Sequence, residues 1–156
     1  MNNYNYYKIT SGNHVYVGKT RKEITTRFIQ HVNNYTLYKK NPLGCVNFTS
    51  SFLLFDRFGI ENCTVSSIMT ILCHRKEASI LEGLLIVNYK NNRAYVCNNK
   101  NIAGRSQQEY RLANIGKINE KHGCCCGGKF TYNGKGQHIK TLKHVDYLAG
   151  QLIQLA

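Results

Sequence analysis

The spacing of apolar residues changes period once within the first forty positions. Two short runs rich in β-branched and aromatic residues, Tyr6 to Thr10 and Val15 to Val17, flank Ser11-Gly12-Asn13. Glycine and asparagine tolerate positive φ, so this pattern predicts a β-hairpin. From Thr20 the apolar positions fall at Ile24, Phe28, Val32 and Tyr35, steps of four and three that mark one face of a helix. Arg27 and His31 stand one turn apart beside that face. Lys39 to Gly44 contains Asn41-Pro42 and breaks the helix, because proline disfavours helical backbone in the residue before it. A second helix is expected from about Asn47 to Phe58, with Gly59 as its stop and Phe55 and Phe58 as core. Asn62 to Leu72 reads as a third strand and Lys76 to Tyr89 as a third helix, whose apolar stripe is Ala78, Leu81, Leu85 and Tyr89.

Beyond residue 101 the pattern weakens. Gly104 to Glu120 is a polar connecting segment, partly helical, in which Ser106 and Glu109 have capping-box spacing. Its cations, Arg105, Arg111, Lys117 and Lys121, suit a phosphate backbone and a solvated helix equally well. Residues 123–156 carry Cys124-x-Cys126-Gly127-Gly128, a short strand from Phe130 to Tyr132, and a helical stretch from Gln137 to Tyr147 containing His138 and His144. Two thiolates and two imidazoles supply the four ligands of a tetrahedral zinc site. The segment resembles a two-cysteine, two-histidine zinc finger, a ββα-like module, with one residue between the cysteines where two to four are usual. Cys125 is an alternative ligand. Three reduced cysteines in a basic tail is the competing reading, but so short a segment has too little apolar content to order itself without metal. Leu148, Leu152, Ile153 and Leu155 imply that a final helix docks on the body or on a second copy.

Charge narrows the partners. Lys and Arg number 21 against 8 Asp and Glu, a net charge of +13 over 156 residues. An excess of that size favours a polyanion, and nucleic acid over membrane because no basic amphipathic stretch carries a large aliphatic face. No run approaches the ~18 apolar residues of a membrane span, and Met1 to Tyr7 is too polar for a signal peptide. Seven cysteines, an odd number that includes three in a row, argue against an extracellular disulfide framework. An intracellular protein, cytoplasmic or nuclear, with some thiols on metal is expected. The abundance of asparagine and tyrosine fits an AT-rich coding sequence, such as that of a virus or mobile element.

Glu82 is the acidic residue whose placement is unusual. At 100° per residue it falls about 40° from Ala78, inside the apolar stripe of the third helix. A carboxylate there needs a compensating partner, either a nearby cation in a structural salt bridge or a bound metal.

Four features together carry a family resemblance: Tyr7 in Tyr7-Lys8-Ile9, the tripeptide Tyr16-Val17-Gly18, Arg27 with His31 on the first helix, and Glu82 with Ile86 on the third. They resemble the GIY-YIG endonucleases over about residues 4–101, although Asn5 and Tyr6 stand where that family has glycine and isoleucine. The resemblance implies an α+β fold, a small three-stranded antiparallel sheet flanked by helices, with residues 1–101 as nuclease domain, 102–122 as linker and 123–156 as zinc module. It implies a site made of Tyr7, Tyr16, Arg27, His31, Glu82 and Asn99, with Asn98 as the alternative asparagine. Gly18, Lys19 and Arg21 would lie along the phosphate.

The implied activity is metal-dependent hydrolysis of DNA phosphodiesters, with RNA left open as substrate. Glu82 would hold Mg2+ or Mn2+, and Cys124, Cys126, His138 and His144 would hold Zn2+. Tyr7 would be the general base or proton relay, its pKa lowered by neighbouring cations. The competing expectations are a non-catalytic nucleic-acid-binding protein on the same scaffold and a zinc-stabilised protein-interaction module. Fold resemblance by itself does not decide among them.

Overall fold

The computed structural model describes residues 1–42, 44 and 47–153, with the side chains of 152 and 153 left out. The chain divides into two compact units, Met1–Arg105 and Ser106–Ala156.

In the first unit, strands β1 (Asn2–Ser11) and β2 (His14–Thr20) form the expected hairpin, longer at both open ends than the apolar runs alone indicated. Gly12, at φ 56°, is the first of its two turn residues, as a tight hairpin loop with positive φ there requires. The register sets Tyr7 opposite Gly18 and Ile9 opposite Tyr16. Strand β3 (Thr64–Cys73) runs antiparallel on the other edge of β1, with a register shift between Tyr6 and Tyr7. A fourth strand, β4 (Val96–Cys97), lies parallel to β2 and gives the order β3-β1-β2-β4. The fold is α+β, but the sheet is mixed and four-stranded where three antiparallel strands were expected. Two residues are too few to show an alternating pattern. What holds β4 is backbone pairing, with Val96 N–H donating to Asn13 O at 2.9 Å and Asn98 N–H to Val15 O at 2.8 Å.

Helices cover both faces of this sheet. On one face α1 (Ile24–Lys40) and α2 (Phe52–Phe58) pack Phe28, Val32, Tyr35, Phe52 and Phe55 against Tyr7, Ile9 and Tyr16. On the other, α3 (Arg75–Asn91) packs Ala78, Leu81, Leu85 and Ile86 against Tyr4, Tyr6, Val15 and Val17. Two covered faces explain why neighbouring Tyr6 and Tyr7 are both buried. Helix α2 begins at Phe52 rather than near Asn47, and Ser51, the residue before it, makes no side-chain cap. Phe55 is core as expected, whereas Phe58 is half-buried against His14. The unit runs on to Arg105 because Ile102 and Ala103 pack with Ile86 and Val17.

The second unit begins with α4 (Gln107–Ala113), which has the expected capping box: Ser106 Oγ accepts from Glu109 N–H at 3.2 Å and Ser106 N–H donates to Glu109 Oε2 at 2.7 Å. There follow α5 (Ile115–Asn119), the antiparallel pair β5 (Lys121–Gly123) and β6 (Lys129–Thr131), a 3-10 turn at Tyr132–Gly134, the short α6 (Lys135–His138) and α7 (Leu142–Ile153). Among its described residues Cys126 is the one buried apolar side chain. Of the positions expected to dock the last helix, Leu148 is exposed; the side chains of Leu152 and Ile153, and Leu155 entirely, lie outside the described residues. No helix among the described residues is long and apolar enough to cross a membrane.

Candidate active site and metal centre

The hairpin and α1 bring Tyr7, Tyr16, Gly18, Arg27 and His31 together. Tyr7 Oη lies 2.7 Å from His31 Nε2 and accepts from Arg27 Nε at 3.4 Å. Tyr16 sets its ring edge-on to His31, with centroids 5.4 Å apart. Gly18 faces Tyr7 across the hairpin, where an added Cβ would lie 2.6 Å from the Tyr7 hydroxyl and 3.2 Å from Tyr16 Cε1. Glycine is required there by close approach, since the hydroxyl occupies the space a side chain would fill.

Burial dominates the protonation of this cluster. Desolvation pushes the Tyr7 phenol above its ordinary range, and the Arg27 guanidinium only partly opposes it. This corrects the expectation that neighbouring cations would lower the Tyr7 pKa: with the ring 1% exposed, the cost of stripping water from a phenolate outweighs one guanidinium. Tyr16 is raised by the same cause. His31 is pushed down to about 4, first by burial and then by Arg27, so its imidazole is neutral. Its other nitrogen, Nδ1, is 2.8 Å from Ser51 Oγ. Sequence alone offers no signal for this contact, because a serine preceding an apolar helical run reads as an ordinary N-cap.

Glu82 sits on the α3 side of the sheet, and its charge reaches the phenols, raising both Tyr7 and Tyr16. Its carboxylate is ion-paired: Oε2 is 3.2 Å from Lys19 Nζ, which also donates to Ser79 Oγ at 2.6 Å. The partner that its position in the stripe demanded is therefore a lysine, and Lys19 is already engaged. Arg21 and Lys22 are exposed. Together with Lys19, Arg27 and Gln30 they line a groove of about 550 Å³. Lys22 and Gln30 were not singled out by spacing.

Asn99, rather than Asn98, is the buried asparagine. Its Oδ1 accepts from Val17 N–H and its Nδ2 donates to Val17 O, both at 2.8 Å. The side-chain amide thus extends the β4 pairing along β2 by imitating a peptide group, and leaves Tyr16 and Gly18 on either side of a fixed residue. Asn98 Nδ2 instead meets His14 Nδ1 at 3.3 Å.

In the second unit, the β5–β6 turn carries Cys124 and Cys126, α6 ends on His138, and α7 carries His144. One ligand atom from each lies within 4.8 Å of all the others. Cys124 Sγ is 3.3 Å from His144 Nδ1 and Cys126 Sγ is 3.4 Å from His138 Nε2. Tetrahedral zinc, with bonds of about 2.3 Å to sulfur and about 2.0 Å to nitrogen, sets adjacent sulfur and nitrogen about 3.5 Å apart, so the set can hold such an ion. The backbone N–H of Cys126 is first among the groups that hold the Cys124 thiol down at about 6, favouring the metal-binding thiolate. Gly127 turns the chain at φ 73°, and a Cβ on Gly128 would stand 2.5 Å from His138 Cε1. Cys125 is exposed and outside the cluster.

Comparison of the chain with protein-family models, with characterised proteins and with solved structures finds no match in any of the three.

Proposed function

We propose that the first unit is a GIY-YIG-type endonuclease that hydrolyses DNA phosphodiester bonds, and that the second unit, holding zinc, assists nucleic-acid binding. The observation that carries this reading is the Tyr7 hydroxyl: it is gripped by a neutral imidazole at 2.7 Å and a guanidinium at 3.4 Å, beside a groove lined by Arg21 and Lys22. A phosphodiester needs an activated oxygen nucleophile, charge stabilisation on the phosphoryl group and help for the leaving oxygen. In this reading Arg21 and Lys22 draw the backbone in, Arg27 neutralises the phosphoryl oxygens, and Tyr7 handles the proton of the attacking water. His31 and Tyr16 hold that phenol, and Asn99 fixes β2 at Val17, between Tyr16 and Gly18.

One carboxylate with phosphate oxygens and water is a donor set that suits Mg2+ or Mn2+. Glu82 is the residue that would hold such an ion, which would supply neutralisation at the phosphate and the leaving oxygen. Lys19 pairs with that carboxylate at 3.2 Å and must give way for the ion to bind. The same ion pair favours a second reading, a non-catalytic nucleic-acid-binding protein in which Lys19 permanently satisfies Glu82.

Incubation with supercoiled, linear and branched DNA, with and without Mg2+, separates the two. The nuclease reading expects metal-dependent cutting, lost in Glu82→Gln, and an Arg27→Ala variant slowed at least ~10-fold in single turnover while its affinity at fixed salt changes little. Binding without cutting of any substrate establishes the second reading.

A further inference from the structure

The contacts of Tyr7 continue past His31. Ser51 Oγ, fully buried, lies 2.8 Å from His31 Nδ1 and 2.9 Å from Thr49 Oγ1, and Thr49 is half-buried. Serine before a helix usually caps it, a contribution of about 1 kcal/mol, yet Ser51 makes no cap on α2. Its hydroxyl is turned to the imidazole instead.

A neutral imidazole has one N–H and one bare nitrogen. The Tyr7 oxygen receives the Arg27 Nε–H and keeps one hydrogen of its own to give, for which Nε2 at 2.7 Å is the partner within reach. With the bond made in that direction, the ring hydrogen is on Nδ1 facing Ser51 Oγ, which leaves the Ser51 hydroxyl hydrogen free for Thr49 Oγ1.

We propose that Ser51 is a positioning residue that fixes His31 in the Nδ1–H tautomer, so that Tyr7, His31, Ser51 and Thr49 form a path for the proton released when water attacks. The proposal rests on the nuclease reading of the first unit. It answers a difficulty in that reading: a phenol kept neutral by burial takes up a proton only by passing its own along.

In the step, an O–H bond of water breaks and its electron pair stays on the oxygen that bonds phosphorus. The proton joins Tyr7 Oη while the phenol's own proton moves to His31 Nε2. The Nδ1 proton moves to Ser51 Oγ, that of Ser51 to Thr49 Oγ1, and that of Thr49 to solvent. The bond from phosphorus to the leaving sugar oxygen breaks with its electron pair on that oxygen, which takes a proton from solvent. Every side chain ends with the number of protons it began with, and the ring regains its starting tautomer by exchange with solvent.

Ring-nitrogen NMR of the full chain labelled with 15N-histidine tests this, the His31 signals being assigned by their loss in His31→Gln. The expected result is a protonated Nδ1 and a bare Nε2 in the wild type. Ser51→Ala should move the population toward Nε2–H and slow cleavage ~10–100-fold, the usual range for losing general-base assistance. Thr49→Val should slow cleavage with the tautomer unchanged, and Thr49→Ser should restore it. A wild-type His31 protonated on Nε2 overturns the proposal, even if Ser51→Ala does not fold, and so does a tautomer indifferent to Ser51→Ala. The ring spectrum needs no substrate, so the two readings fail separately. A chain that cuts no DNA but loses its Nδ1–H tautomer in Ser51→Ala refutes the nuclease and keeps the positioning role, whereas an active chain with Nε2–H refutes only the role of Ser51.

Discussion

Gly18 stands directly across the hairpin from Tyr7, and the Tyr7 hydroxyl fills the volume in which a Gly18 side chain would lie. Because that hydroxyl is held by His31 and Arg27, it cannot yield without losing a contact that the proposed chemistry needs. Gly18→Ala therefore destabilises the unit by about 1–3 kcal/mol through overpacking and displaces the phenol, lowering DNA cleavage by at least ~10-fold. Gly12→Ala is the matched control: its Cβ meets open space, and only the positive φ is strained, at about 1 kcal/mol. Thermal unfolding and single-turnover cleavage of both variants check this. Equal activity loss in the two would show that the turn, and not the close approach, matters.

The depressed pKa of His31 gives the fold a definite pH dependence. Folded, the imidazole titrates near 4; unfolded, near 6.5. Between those values the unfolded chain binds more protons, so stability rises with pH. The contribution is whole above pH ~6.5 and is lost as pH falls through 4, by about 3 kcal/mol in all. His31→Gln should be less stable at pH 7, having no imidazole between Tyr7 and Ser51, but should lose less on acidification. Urea unfolding at pH 7, 5.5 and 4 measures both slopes, and parallel losses in the two proteins would contradict the assignment. Carboxylates that titrate in this range are common to both and cancel.

Asn99 does the work of a peptide group with a side chain. Asn99→Ala leaves the N–H and C=O of Val17 without their 2.8 Å partners, a loss of about 2–4 kcal/mol for two buried polar groups. Asn99→Asp should be no better, since a carboxylate cannot donate to the Val17 carbonyl. Asn98→Ala should cost under about 1 kcal/mol, because its amide only meets His14 and its own strand at longer range. Denaturant midpoints of the three variants rank them.

The parts of this fold that sequence made legible are those with a period. Ile24, Phe28, Val32 and Tyr35 mark the buried face of α1, and Ala78, Leu81 and Leu85 that of α3, because a helix packed on a sheet must repeat its apolar residues every three or four positions. The misplacement of Glu82 in such a stripe was equally visible, though not the lysine that satisfies it, since Lys19 comes from β2 on a distant stretch of chain. Contacts made by single residues left no trace: the two-residue β4, the start of α2 and the link from Ser51 to His31 depend on tertiary pairing that no local pattern encodes. The direction of the Tyr7 shift is hidden from sequence for a related reason, because counting cations along the chain says nothing of how far a ring is removed from water.

The metal centre makes the strongest prediction for the second unit. With Cys126 as the one buried apolar side chain among its described residues, the unit has little apolar core there to order it, and an ion on the four-residue cluster would supply that order; structural zinc contributes apparent binding energies of about 10–16 kcal/mol in comparable small modules. The purified chain should carry about one zinc. Removal by a chelator should abolish the helical signal of residues 106–153 while the first unit keeps its own unfolding transition. Cys125→Ser should keep the ion, since Cys125 lies outside the cluster, whereas Cys126→Ser should not. Gly128→Ala is the sharpest variant: it replaces no ligand, but its Cβ would press within 2.5 Å of His138 Cε1 and within 3.3 Å of Cys126 Sγ, displacing the imidazole first and crowding the thiol. Competition against a chromophoric chelator should show its zinc affinity reduced at least ~10-fold, the scale on which groups that orient metal ligands act. Wild-type affinity in Gly128→Ala would mean that His138 is not held at the ion by this turn.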